Sequence, residues 1–157
     1  MAKPDNPDER LIASNKKAYH DYHVLAKYEA GLVLTGTEVK SLRDGRANLK
    51  DAYVIFKNGE ALLFGLHISP YSHGNRENHE PERTRKLLLH KRELIKLFAD
   101  VVEKGLTIVP LRMYFRKGRA KAEIAVVRGK KLHDKRESEK TREAARETAA
   151  AIKQGMR

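Results

Sequence analysis

The chain has 157 residues, with 33 lysines and arginines against 21 aspartates and glutamates and a formal net charge of +12. The length admits one domain, or one domain plus an appendage, and the absence of cysteine excludes disulfides, thiolate zinc sites and cysteine nucleophiles. The charge excess points to a polyanionic partner, and nucleic acid fits best, because lysine and arginine release counterions when they neutralise phosphates. No run approaches the roughly 18 apolar residues of a spanning helix. The polar start MAKPDNPDER has no signal-peptide core, so a cytoplasmic protein with no membrane partner is expected.

Residues 1–10 carry two prolines and mixed charge, which predicts a disordered lead-in. Asn15, Lys16 and Lys17 follow on an exposed approach to a strand, in which Tyr22, Val24, Ala26 and Tyr28 alternate with polar residues. Gly31 and Gly36 then bracket the apolar run Leu32–Leu34, Thr37 offers a hydroxyl as helix cap, and a short helix is expected near Glu38–Arg43. Glu29, just ahead of that run, is a carboxylate in a basic chain. Two roles are open to it: a salt bridge to a neighbouring lysine or arginine, or acceptance of base amino or ribose hydroxyl donors.

Asp44-Gly45 supplies a turn, and Asn58-Gly59 between two β-rich runs predicts a hairpin, since both turn positions call for positive φ. Residues 69–85 form a long polar loop whose exit, with Arg83, Arg85 and Lys86, is basic. Lys91–Lys104 is predicted as a helix with Leu94, Leu97, Phe98, Val101 and Val102 on one face and Gly105 as its stop. A strand over 107–115 follows, with Pro110 marking an edge or bulge. Lys117-Gly118-Arg119 turns the chain back into a strand with Ala122, Ile124 and Val126 on one face and Lys121 and Glu123 on the other.

Five or six antiparallel strands with one or two added helices predict a mainly β domain over 11–127. An oligonucleotide-binding (OB) type barrel fits, and an SH3-like barrel is the alternative. From Arg128 the composition shifts. Residues 128–157 hold ten lysines or arginines against five acids and few large apolar side chains. Opposite charges three residues apart favour a helix by only about 0.2–0.5 kcal/mol per pair. The tail is therefore expected to be disordered when free and helical on a polyanionic surface.

Of the tyrosines, Tyr19 and Tyr71 lie outside the strand patterns and are the candidates for stacking on bases, the others being assigned to the core. Histidine pairs occur at His20/His23 and His73/His79, without the spacing of a metal site, so no metal or cofactor is expected. No nucleophile elbow, P-loop or dinucleotide fingerprint is present, and a binding protein rather than an enzyme is expected. A general single-strand RNA or ribosomal OB protein, and more remotely a metal-dependent nuclease, are the alternatives.

The motifs NKKAYHDY, EAGLVLTGTEVKSLRDG, NLKDAYV, HISPY, RTRKLLLH, GLTIVPL and RGKKLHDKR, in this order, resemble the SsrA-binding protein (small protein B) family from about Asn15 to Arg136. The resemblance implies an OB-type barrel that binds the tRNA-like domain of transfer-messenger RNA and brings it to stalled ribosomes for trans-translation. It also implies mimicry of part of a tRNA and a monomer when free. By motif it assigns RNA binding to Asn15, His20, Glu29, Leu88 and Lys121, beside the basic candidates Lys16, Lys17, Arg83, Arg85 and Lys86. It implies that Gly129, Lys130, Lys131, His133, Asp134, Lys135 and Arg136 approach small-subunit ribosomal RNA at the decoding centre, with the remaining tail in the vacant message channel. Glu139 before Lys140 departs from the family's frequent aliphatic residue there.

Overall fold

A computed structural model describes residues 9–72 and 78–130. The expectations for residues 1–8, for His73, and for Lys131, His133, Asp134, Lys135, Arg136 and the rest of the tail lie outside the described residues. Within them the elements run β1 (Glu9–Ser14), α1 (Lys16–Asp21), β2 (Tyr22–Leu32), α2 (Gly36–Arg43), β3 (Ala47–Asn48) and β4 (Tyr53–Lys57). Then come β5 (Glu60–Phe64), β6 (His67–Ile68), β7 (Arg85–Leu88), α3 (Lys91–Val102), β8 (Thr107–Arg116) and β9 (Arg119–Gly129).

Seven strands form one antiparallel sheet in the order β1-β8-β9-β2-β7-β5-β4, and β3 pairs with β6 apart from it. The free edge of β8 is shared. β1 pairs with its second half, from Arg112 to Arg116, while β4 packs beside its start, where Tyr53 faces Thr107 and Val109 across a hollow. The six strands β8, β9, β2, β7, β5 and β4 thereby curl into a ring, the OB-like barrel expected from the strand pattern.

Both predicted hairpins form. Asn58 and Gly59 have φ of 53° and 76° and set Lys57 opposite Glu60. Lys117 and Gly118 do the same between Arg116 and Arg119, at φ of 50° and 77°. Pro110 sits at a register shift between β8 and β9, so it marks a bulge inside the sheet and not an edge strand. Its carbonyl is taken up by a side chain described below.

The ring encloses Leu63, Leu66, Ile68, Leu97, Ile108, Met113 and Ile124, none of which retains exposed surface. Each contributes about 1.5–3 kcal/mol by leaving water. A second, smaller cluster lies outside the ring. There Ala18 and Tyr19 of α1, with Tyr22 at the start of β2, pack over Val109, Leu111, Ala125 and Val127.

Several boundaries differ from the pattern-based ones. Glu9 and Arg10, expected in the lead-in, open β1, because Glu9 finds two arginines on β8 that the local composition does not reveal. Lys16 and Lys17, expected on an exposed approach, open a third helix, Lys16–Asp21, too short to carry a periodicity. Thr35 and not Thr37 caps α2. α3 ends at Val102, and Phe98 and Val102 stay 48% and 61% exposed, so its buried face is narrower than the apolar run suggests. At the other end β9 continues to Gly129, and Lys130 is tied down, so the barrel extends past the expected boundary at 127.

Candidate nucleic-acid interface

Antiparallel register places residues from four strands in rows on the outer face of the sheet. Tyr114 of β8 lies opposite Lys121 of β9, which lies opposite Gly31 of β2, which lies opposite Leu88 of β7. The next row runs Arg112, Glu123, Glu29. Side chains in such rows share a face because the strand period is two. α1 packs over Val109, Leu111, Ala125 and Val127, and within the two rows Glu29 and Leu88 are exposed while Tyr114 is buried. Leu88 is 51% exposed and rests over Gly31, where an added Cβ would come within 3.3 Å of its own Cβ. Glycine at 31 lets Leu88 and Lys121 close over β2.

Glu29 stands at the centre of an ion-pair and hydrogen-bond network. The Tyr114 hydroxyl donates to its Oε2 at 2.5 Å, and Arg116 Nη1 lies 2.6 Å from the same oxygen. Oε1 makes no hydrogen bond or ion pair among the described residues, and the side chain is 35% exposed. The salt bridge open to Glu29 from the sequence therefore forms, with one oxygen left over. Arg116 also pairs with Glu9, and Arg112 holds Glu9 at 3.2 Å and Glu123 at 3.5 Å. Burial and the Glu29 carboxylate push the Tyr114 hydroxyl well above the usual phenol range, so it is a permanent donor. The hydrogen bond from Arg116, opposed by burial and aided by Arg112, keeps Glu9 below its ordinary value. The network fixes a carboxylate that presents one acceptor outward, with Lys27 and Lys121 flanking it.

Next to this face, α1 carries Lys16, Lys17, Tyr19 and His20. Lys16 and Lys17 are exposed, Lys17 reaching Asp51 at 3.4 Å. His20 Nδ1 lies 3.0 Å from Asp21, and the Tyr19 ring has Lys27 Nζ 5.9 Å from its centroid. Asn15, expected on an exposed approach, is instead only 4% exposed. Its amide donates to the carbonyls of Leu49 and Pro110, and its Oδ1 caps α1 by accepting from Ala18 N–H at 3.2 Å. It joins the end of β1, the bulge of β8 and the approach to β4, and positions α1 from behind. Lys130 is likewise turned inward. Its N–H donates to Asp21 O and its ammonium to Tyr19 O at 3.0 Å, while Gly129 lies opposite Tyr22.

Arg85, expected at a basic loop exit, is buried. It has no exposed surface, donates to Glu38 Oε2 at 2.6 Å, and satisfies the carbonyls of Leu66 and Pro81. Arg83, half-buried, holds the other Glu38 oxygen at 2.5 Å and so serves the same centre. Lys86 is exposed and pairs with Glu60 at 2.8 Å. Glu38 itself is fully buried and was missed as an organising residue. The signal lay in Thr35-Gly-Thr-Glu38, a capping-box pattern, and the Thr35 N–H does donate to Glu38 at 2.9 Å. Burial pushes the Glu38 carboxyl up, but Arg83, the Thr35 N–H and Arg85 outweigh it and hold it below the ordinary glutamate value. His79, paired with His73 in the sequence, has both ring nitrogens engaged: Nε2–H donates to Ile68 O at 2.8 Å, and Nδ1 faces the Thr37 hydroxyl at 2.9 Å.

The model of the SmpB protein family matches residues 12–154. The SsrA-binding protein of Geotalea uraniireducens is 58% identical over 149 residues, covering 95% of this chain and 99% of that one. The SsrA-binding protein of Syntrophobacter fumaroxidans is 59% identical over 146 residues, covering 92% of this chain and 91% of its own. A solved structure described as "tmRNA-SmpB: a journey to the center of the bacterial ribosome" superposes with a TM-score of 0.65 at 49% identity, over 76% of this chain and 85% of that one.

Proposed function

The chain belongs to the SmpB family, and on that premise we propose that it binds transfer-messenger RNA and brings it to stalled ribosomes for rescue by trans-translation. The observation that carries this is the family match across almost the whole chain, together with an outer face built around one fixed acceptor and flanking cations. The protein acts in the cytoplasm as a binding factor, with transfer-messenger RNA and the ribosome as its partners.

At the finer level, the tRNA-like domain lies against the Glu29 rows and α1. Glu29 Oε1 accepts from a base amino group or ribose hydroxyl, a choice a carboxylate makes well because it repels phosphate. Leu88 offers an apolar surface to a base, and Lys121, Lys16, Lys17, Lys86 and His20 meet the backbone. Asn15, Arg83 and Arg85 support this surface from within. The segment from Gly129 through Arg136, including Lys130, Lys131, His133, Asp134 and Lys135, approaches the decoding centre.

Competition between transfer-messenger RNA and bulk tRNA at one fixed salt concentration tests the reading. Specific recognition leaves bulk tRNA a poor competitor, whereas equal competition would return the protein to a general RNA-binding role.

A further inference from the structure

Helix α3 buries one apolar stripe and leaves a second in solvent. We propose that this outer stripe, Ile95, Phe98 and Val102 with the basic residues beside it, is a docking surface for a short acidic, amphipathic helix of a protein partner. It does not depend on the RNA-binding function proposed above.

A surface helix ordinarily turns its apolar residues to the core and its polar ones outward. The inner stripe of α3 does so: Leu97 has no exposed surface, and Leu94 and Val101 pack against the core. Ile95, Phe98 and Val102 repeat the same spacing one position further on, yet they stay 60%, 48% and 61% exposed. Single exposed apolar residues are ordinary, whereas three in one row form a patch. The Phe98 ring stands edge-on to Phe56 of β4, with centroids 5.5 Å apart, which fixes the middle of the row. The row from Ile95 to Val102 is about two turns, or roughly 10 Å, long. That matches the anchors i, i+3 or i+4, and i+7 of a partner helix.

Charge beside the row selects the partner. Lys91, Arg92 and Lys96 are exposed and form no ion pair among the described residues. The acids of the helix are mostly engaged: Glu93 accepts from the His90 N–H at 3.3 Å, and Asp100 holds Lys104 at 3.5 Å. Glu103 is left at the far end. An apolar row with three unmatched cations along its first half fits a segment whose own apolar residues are flanked by glutamate or aspartate, and the charges orient it.

Position and shape favour protein over RNA. α3 joins β7 to β8, which are not neighbours in the ring, and its Leu97 enters the core, so the helix spans one end of the barrel. The outer stripe therefore lies off the strand rows that carry Glu29. Ile95 and Val102 are β-branched and offer no flat ring to a base, unlike a stacking platform.

The test titrates the isotope-labelled full chain with a synthetic helical peptide, about four turns long, that carries leucines at three- and four-residue spacing and glutamates around them. A scrambled peptide of the same composition is the control. Binding is expected in the micromolar range, with amide resonance shifts gathered on residues 91–104 and Phe56, and the scrambled peptide should bind about tenfold more weakly or worse. Ile95→Gln/Val102→Gln and Arg92→Glu/Lys96→Glu exchange exposed side chains for other helix formers. Each should weaken the striped peptide about tenfold, and the second should also flatten its salt dependence. Ile95→Gln/Val102→Gln should keep affinity for transfer-messenger RNA within about twofold. Equal binding of the two peptides, shifts centred on another face, or unchanged affinity in both variants overturns the proposal. A matching loss of transfer-messenger RNA affinity in Ile95→Gln/Val102→Gln assigns the surface to RNA and overturns it too, as does stripe-dependent binding to phosphatidylglycerol vesicles.

Discussion

Glu29 and Glu38 show how differently one residue type behaves in this chain. Glu38 takes three donors and Glu29 two, and Glu38 is sealed while Glu29 keeps one oxygen without a hydrogen bond among the described residues. Tyr114 is a positioning residue for Glu29. Tyr114→Phe is expected to lower affinity for transfer-messenger RNA by roughly two- to tenfold, the worth of one hydrogen bond, with little change in melting temperature. Combined with Glu29→Ala, its effect should not add, and an additive result in the double-mutant cycle would mean that the phenol acts independently of the carboxylate. At Glu38 the consequence is stability. Glu38→Gln leaves Arg85 buried without its counter-charge and should cost about 3–5 kcal/mol in urea unfolding. Because Glu9 and Glu38 both titrate below the ordinary 4.5 when folded, they stabilise the native state above that pH. That contribution is lost as pH falls from 4.5 through their lower folded values. Acid unfolding should therefore steepen in that window, and Glu38→Gln should flatten it.

Among the elements, the connection from β5 to β6 is the least forgiving. Gly65 has φ of +82°, and an added Cβ would stand 2.9 Å from the carbonyl oxygen of Asp51, a backbone atom with little room to give. Gly59 also has positive φ, at +76°, but open space around it. Gly59→Ala should therefore cost about 1 kcal/mol for conformation alone. Gly65→Ala should cost clearly more, and chemical denaturation of the pair separates strain from collision. Gly65 joins Phe64 to the segment that Arg85 and His79 secure through the carbonyls of Leu66 and Ile68.

For the whole molecule, the junction between barrel and tail falls later than composition suggests. Arg128 and Gly129 still pair with β2, and Lys130 is bonded to α1 through Asp21 and Tyr19. Truncation after Lys130 should preserve transfer-messenger RNA affinity within about threefold while abolishing peptide tagging on stalled ribosomes. Truncation after Val127 removes those ties and should weaken RNA binding as well, since α1 loses an anchor. Equal RNA affinity in the two truncations would show that the ties to α1 are dispensable. What the sequence alone determined follows from local rules. Charge excess named a polyanion, Asn58-Gly59 and Lys117-Gly118 declared their hairpins through backbone conformation, and the alternation of Ala122, Ile124 and Val126 set which side of β9 faces the core. The family motifs named the partner. Tertiary structure alone decided which polar residues face outward. Asn15, Arg83 and Arg85 read as surface groups because their bonds go to residues 34, 45 and 47 positions away. Glu9 read as lead-in because its arginines lie more than 100 residues downstream. A composition window sees a charge but not the distant counter-charge that makes its burial affordable, and only the folded sheet brings the two together.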